Sequence, residues 1–504
     1  MRLLLRGTVV LAILAACTLV GLAGSVIPSQ EADVEIQIAA KLFAQGNYPG
    51  ALAVYTQARS HAPEPDQQHR ALAGIVRSAL RVAQFEQASR AAIDLVAMQP
   101  QNPDDAALYG DALWSSGLFP EAQQQYERAL TLNPRTADAL NGLAMLLAAR
   151  GHLQDAYNDA EAALGLAPKN EEVNHTVGMI YERMHRFGDA ADAYEHYVDL
   201  LPNKDKSLKA AWSRAEIKFL RSFQDREPFA IDPADADTLH TIPFRLINNK
   251  VVVRARLNGG DERDLVLDTG AEQTTISEKT GRDVGLKPVT YTLSAGIGDA
   301  GLRGLQLARL DELQIGTLTV RNVACVIKSP SLKDMPTRES DTFSPLALGL
   351  STRVDYARRE ITMGRHLPEE PVDVELPMYV NRLATVRGTV DGRHPASFVV
   401  DTGGEVISIS SDMAGLLDRP QPEHRISLKV YGTSGWDRDA FLLPGVNLKF
   451  AGIAFTNFPV VVLNLRAPSV LLGYQLGGIV GQKFLGGYRV TFDLEHSVLG
   501  LKKF

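Results

Sequence analysis

Two stretches of this chain repeat each other 133 positions apart, and that duplication limits the fold of its second half more than any other feature. Asp264-Leu265-Val266-Leu267-Asp268-Thr269-Gly270-Ala271 precedes Thr275-Ile276-Ser277, and Ser397-Phe398-Val399-Val400-Asp401-Thr402-Gly403-Gly404 precedes Ser408-Ile409-Ser410. In each copy an apolar run of strand character ends in an Asp-Thr-Gly turn and a second short strand. A duplicated strand-and-turn unit calls for two similar β lobes.

The first half has a different period. Ala51, Ala88, Ala122, Ala156 and Ala190 recur with the same neighbours, and the last three intervals are 34 residues. Around Ala51 stand Gly46, Tyr48, Tyr55, Ala58 and Pro63; around Ala122, Gly117, Phe119, Tyr126, Ala129 and Pro134; around Ala156, Gly151, Leu153, Ala160, Ala163 and Pro168. The pattern resembles the tetratricopeptide repeat, a helix-turn-helix unit in which small residues let paired helices approach and proline ends the second helix. The resemblance implies five copies over residues 30–203. The second copy, with Ala83, Phe85, Ala88, Ala92 and Pro100, follows a 37-residue interval, which Pro63-Glu64-Pro65-Asp66 assigns to a longer loop. Residues 204–226 read as a capping helix with Leu208, Ala211, Trp212, Ala215, Phe219 and Leu220 at helical spacing. Residues 227–240, rich in Asp and Ala, read as a linker between halves that fold separately.

Chemistry enters with the paired triplets. Two carboxylates that share one proton supply an acid and a base together, because like charges so close cannot both ionise; aspartic proteases are the standard example of this effect. The duplicated triplets resemble those of aspartic peptidases, particularly retropepsin-like lobes of bacterial proteins, over lobes at 241–366 and 372–504. The resemblance implies Asp268 and Asp401 as the catalytic pair and Thr269, Gly270, Thr402 and Gly403 as support of the catalytic turns. It further implies a later pair of apolar residues and a glycine in each lobe: Ile479-Val480-Gly481 before Asp493, and Ala347-Leu348-Gly349 before Asp355. On that pairing the first lobe is shorter, with 6 positions from glycine to aspartate against 12. Gly296 to Gly304 and Tyr431 to Trp436 are candidate flap tips. Gly296-Ile297-Gly298-Asp299-Ala300-Gly301 matches a dinucleotide-binding pattern, but no helix-forming run follows it. Whether the lobes pair within one chain or between two is open at this point.

The fold class expected is therefore multidomain: an all-α tetratricopeptide solenoid followed by an all-β bilobal aspartic-protease fold. The function expected is endopeptidase activity on a peptide or protein substrate, with a protein partner on the repeats; the alternative is a catalytically inactive peptide-binding module. No cofactor and no metal are expected, since His152, His175, His185 and His394 lack ligand spacing. A formal charge of -7 and the want of a basic, aromatic-interleaved cluster argue against nucleic acid. Cys325 in a strand-like run reads as a buried thiol.

Residues 1–24 read as a signal peptide or membrane anchor: Met1, Arg2 and Arg6 give a basic start, and Gly7 to Gly24 is almost wholly apolar or small. Leu14-Ala15-Ala16-Cys17 resembles a lipobox, which implies acylation at Cys17, while the apolar run beyond it suits an uncleaved anchor. Export to a bacterial periplasm or cell envelope, with membrane attachment through this segment, is the expectation.

Overall fold

The computed structural model describes residues 28–329, 332, 340–417 and 426–504. The expected signal or anchor, Cys17 included, lies outside the described residues.

Eleven helices run from Pro28–Ala44 to Leu208–Arg221. The five recurring alanines are all at 0% exposure, so each is the contact at which two helices meet. Aromatic rings fill the neighbouring space: Tyr126 lies against Gly110 and Gly142, where an added Cβ would sit 2.4 and 2.2 Å from the ring. The turns within the repeats put Gly46, Ala83, Gly117, Gly151 and His185 at positive φ, from 55° to 75°. Asn47, Asn102 and Asn170 cap the helices that follow them.

The three extra residues before the second repeat do not lengthen a loop. They extend the helix Pro65–Arg81 to 17 residues, against 13 for Pro103–Ser115, Ala137–Ala149 and Glu171–Arg183, and the preceding connection shortens by one. Pro65 occupies the first turn of that helix, where its missing N–H is not needed, and Asp66 follows it. The capping helix is present, but it buries Ala210, Ile217, Phe219 and Leu220, and leaves Leu208 75% exposed.

Beyond residue 228 the chain is built of β-sheet. Strands Val374–Asn381, Val498–Lys503, Tyr488–Asp493, Ser351–Asp355, Glu360–Gly364 and His240–Pro243 form one antiparallel arrangement shared by both lobes. Its centre is the pairing of Arg353 with Thr491, across which the lobes are related by a pseudo-two-fold axis. The lobes therefore pair within one chain, and together they form a bilobal aspartic-protease fold.

The halves do not stand apart. Trp114 and Phe119 of the third repeat share an apolar cluster with Tyr379, Val399, Tyr474 and Leu476 of lobe two; the Phe119 ring lies 5.0 Å from Tyr379 and 5.1 Å from Tyr474. Phe187, Phe219 and Phe223 share another with Leu307 and Ala324 of lobe one. The turns of successive repeats dock in register. The Ser397 hydroxyl donates to Gly117 O (2.6 Å) and the Gln475 amide to Ser115 O (2.8 Å), while the Ser497 hydroxyl donates to Arg150 O. The segment read as a linker is pinned too: Ala230–Ile231 pairs with Val320 and Arg321, and the Asn322 side chain donates to Glu227 O. One side of each lobe is thus covered by the repeats rather than by water.

Candidate active site

Strand Arg263–Leu267 lies between Lys250–Leu257 and Thr342–Phe343 and delivers Asp268; strand His394–Val400 lies between Leu383–Val390 and Gly478–Val480 and delivers Asp401. Each aspartate is fixed by its own amide, Asp268 N–H donating to Phe343 O and Asp401 N–H to Val480 O, both at 3.0 Å.

The threonines bind the two turns to each other. Thr269 N–H donates to Thr402 Oγ1 and Thr402 N–H to Thr269 Oγ1, each at 3.1 Å. The same hydroxyls donate onward, Thr269 Oγ1 to Val400 O (2.7 Å) and Thr402 Oγ1 to Leu267 O (2.9 Å). Both threonines are buried, so all four bonds are made away from water, where an unmet polar group would cost about 1–3 kcal/mol.

The glycines set the approach of the carboxyls. Gly270 N–H donates to Asp268 Oδ1 (3.0 Å) and Gly403 N–H to Asp401 Oδ1 (2.7 Å). A Cβ on Gly270 would lie 2.5 Å from the Asp401 carboxyl carbon, and one on Gly403 2.9 Å from that of Asp268. Each carboxyl thus rests on the other turn's glycine, and any side chain there would drive the pair apart. Burial, then the negative charge of Asp268, pushes Asp401 up to about 7, against the N–H groups of Gly403 and Gly404. Burial raises Asp268 as well, but Lys328 and Lys250 favour its charged form. The pair therefore keeps one proton into the neutral range, with Asp401 the better holder.

The expected lobe-one counterpart of Ile479-Val480-Gly481 is not Ala347-Leu348-Gly349. Thr342–Phe343 takes the place of Gly478–Val480, pairing parallel with the strand before Asp268 and antiparallel with Thr275, so Ser344 stands where lobe two has Gly481. The lobes are then nearly equal in length: 11 positions from Ser344 to Asp355 against 12 from Gly481 to Asp493. That near-equality was the signal in the sequence for the right pairing.

Both candidate flaps are hairpins, and their tips meet. Strands Pro288–Ala295 and Leu302–Ile315 carry one tip; Val430–Gly432 and Gly435–Asp437 carry the other. Gly296 N–H donates to Ser434 Oγ (3.0 Å), Ser434 N–H to Ile297 O (2.9 Å) and Asp299 N–H to Trp436 O (2.8 Å). The glycine-rich tip is followed by a strand, as a hairpin requires and a dinucleotide site does not. Tyr431 and Trp436 stack edge-on at 5.0 Å.

Elsewhere, Glu31, Glu35 and His61 on the first repeat bring ligand atoms within 4.8 Å of one another, but Glu35 already accepts from Gln57. Cys325 is buried and its thiol donates to Ala308 O.

Residues 253–351 and 386–484 each match the family model described as aspartyl protease, and residues 108–171 match a tetratricopeptide-repeat model. Hsp70-Hsp90 organizing protein 1 of Glycine max is 26% identical over 109 residues, which span 22% of this chain and 19% of that protein. Among solved structures, a thermophilic tetratricopeptide-repeat protein of Thermus thermophilus is 21% identical, with a TM-score of 0.31 over 36% of this chain and 98% of the other. The pilF protein of Pseudomonas aeruginosa is 16% identical, with a TM-score of 0.28 over 40% and 94%. Matched twice along its second half and once along its first, the chain is a fusion of tetratricopeptide repeats with two retropepsin-like aspartyl protease lobes.

Proposed function

We propose that the chain is an aspartic endopeptidase in which Asp268 and Asp401 activate a water molecule. The observation that carries this reading is the reciprocal threonine bonding, which holds two facing carboxyls on each other's glycines so that they share one proton. Ionised Asp268 takes a proton from the water as its oxygen attacks the peptide carbonyl carbon, and protonated Asp401 gives its proton to the carbonyl oxygen. The tetrahedral diol then collapses, the C–N bond breaks, and the proton on Asp268 passes to the leaving nitrogen. Hydrolysis returns one proton to the pair. The flaps close over this site and exclude water, and the repeats take a protein or peptide partner.

The second reading, an inactive peptide-binding module, draws on Ser344 in place of a glycine. Incubating the purified full-length protein with a peptide library from acidic to neutral pH separates the two. Asp268→Asn and Asp401→Asn should each lower turnover by about 10³-fold or more, the double variant being no worse, while both stay folded. Wild-type rates in either variant would refute the dyad.

The same reading places the protein in the bacterial cell envelope, since a basic start and an apolar run suit export. Labelled fatty acid should enter the wild type and not Cys17→Ser if Cys17 is acylated. A full-length, membrane-bound Cys17→Ser protein would assign the attachment to the apolar run instead.

A further inference from the structure

The internal two-fold lets one end of the cleft be compared with the other, and they differ. Four residues beyond each aspartate stands a glutamate, Glu272 after Asp268 and Glu405 after Asp401. The pseudo-symmetry puts them on opposite sides of the pair. Glu272 is answered from across the lobes: Arg382, at the tip of the hairpin joining Val374–Asn381 to Leu383–Val390, donates Nε to its Oε2 at 2.8 Å. Arg382 also lies in the field of Glu182 and Glu216 of the repeats, and Arg183 donates to Val380 O (2.9 Å) on the same hairpin. This end is neutralised and walled by the helical array.

At the other end the corresponding hairpin turn is Asn248-Asn249, which has no charge to offer. Lys250, the next residue, acts on the charge of Asp268 and forms no ion pair with Glu405. Among the described residues no lysine, arginine or histidine stands within ion-pair distance of Glu405, which is exposed. Among the described residues no helix covers this hairpin, whose Leu246 and Ile247 are 39% and 41% exposed. One carboxylate of a symmetric pair thus has its cation built into the fold and the other does not.

We propose that Glu405 is a specificity-determining residue: it receives a lysine or arginine side chain of the substrate, in the place that Arg382 fills for Glu272. This rests on the endopeptidase reading of the site and adds a substrate class to it, peptides with a basic residue on one side of the scissile bond. Desolvation as the flaps close makes a carboxylate–cation contact stronger than one on an open surface.

The test uses the full-length protein and N-acetylated peptides in which lysine, glutamine or glutamate is placed in turn at each position around a cleaved bond. The wild type should prefer lysine over glutamine at one position by about five- to tenfold in kcat/KM, chiefly through KM, as expected for one charge pair. In Glu405→Gln that ratio should fall to about one, and Glu405→Lys should favour glutamate. Lack of a basic preference in the wild type, or a preference that survives Glu405→Gln, would overturn the proposal. If no peptide is cleaved at any pH, the endopeptidase reading fails by itself. Fluorescence anisotropy with the same labelled peptides then decides: tighter binding of the lysine peptide that is lost in Glu405→Gln supports the subsite, and equal binding of lysine and glutamine peptides refutes it.

Discussion

Burial of Asp401 ties both stability and activity to pH. Its carboxyl holds a proton up to about 7, whereas an unfolded aspartate lets go near 3.9. The folded state therefore binds the extra proton between these values, so stability declines as pH rises from about 4 to 7 and stays lower above. Asp401→Asn removes the titration, and thermal melts should show the variant gaining on the wild type by roughly 4 kcal/mol at pH 8 relative to pH 4. A gap that does not widen with pH would mean that the carboxyl is not held neutral. Hydrolysis should likewise decline above about pH 7 as the shared proton leaves. The pair was legible in sequence because the same tail follows both triplets. Ser344 was not, because it is no glycine and Gly349 stands close by. Strand pairing fixes the position by hydrogen-bond register, and residue type does not report that.

Among elements, the flaps carry the most demanding geometry. Gly298 has φ +136°, and a Cβ there would stand 2.3 Å from the carbonyl carbon of Ser434 on the opposite tip. Gly298→Ala should therefore hold the tips apart and raise KM several-fold, with little change in melting temperature because the turn is remote from the core. An unchanged KM would show that the tips need not meet for turnover. Hairpins at these places could be read from strand signals on either side of glycine-rich turns. Their mutual bonding could not, since Gly296 and Ser434 are 138 residues apart and each tip looks complete alone. The helices show the converse limit. Proline before an acidic residue suits a loop, yet the same pair begins a helix here, and only the shortened connection reveals which.

At the scale of the molecule, repeats and lobes form one packed body. Full-length protein should unfold in a single transition by calorimetry, because the segment between the halves is tied down at both ends, Ala230–Ile231 to the sheet of lobe one and His240–Pro243 to the shared arrangement of strands, while the exposed turn between them stays open to limited proteolysis. Residues 228–504 expressed alone should aggregate, because Tyr379, Tyr474 and Leu476 lose their cover. Two calorimetric peaks, or a soluble and monodisperse lobe fragment, would contradict this. Sequence could not show the packing: alternation in a strand says that one face is covered, and the covering layer can be a second sheet or a helix from another domain. The repeat period likewise gives helix-to-helix contacts but not the edge that faces outward.

The registered docking of the repeat turns bears on how the chain comes to be folded as it is made. The repeats leave the ribosome first and consist of neighbour contacts, which form quickly. Ser397, Gln475 and Ser497, which bond to the turns of the third and fourth repeats, belong to the last part synthesised. The array is thus complete before lobe two exists, and it offers that lobe a finished template on which a slow, long-range β topology can condense.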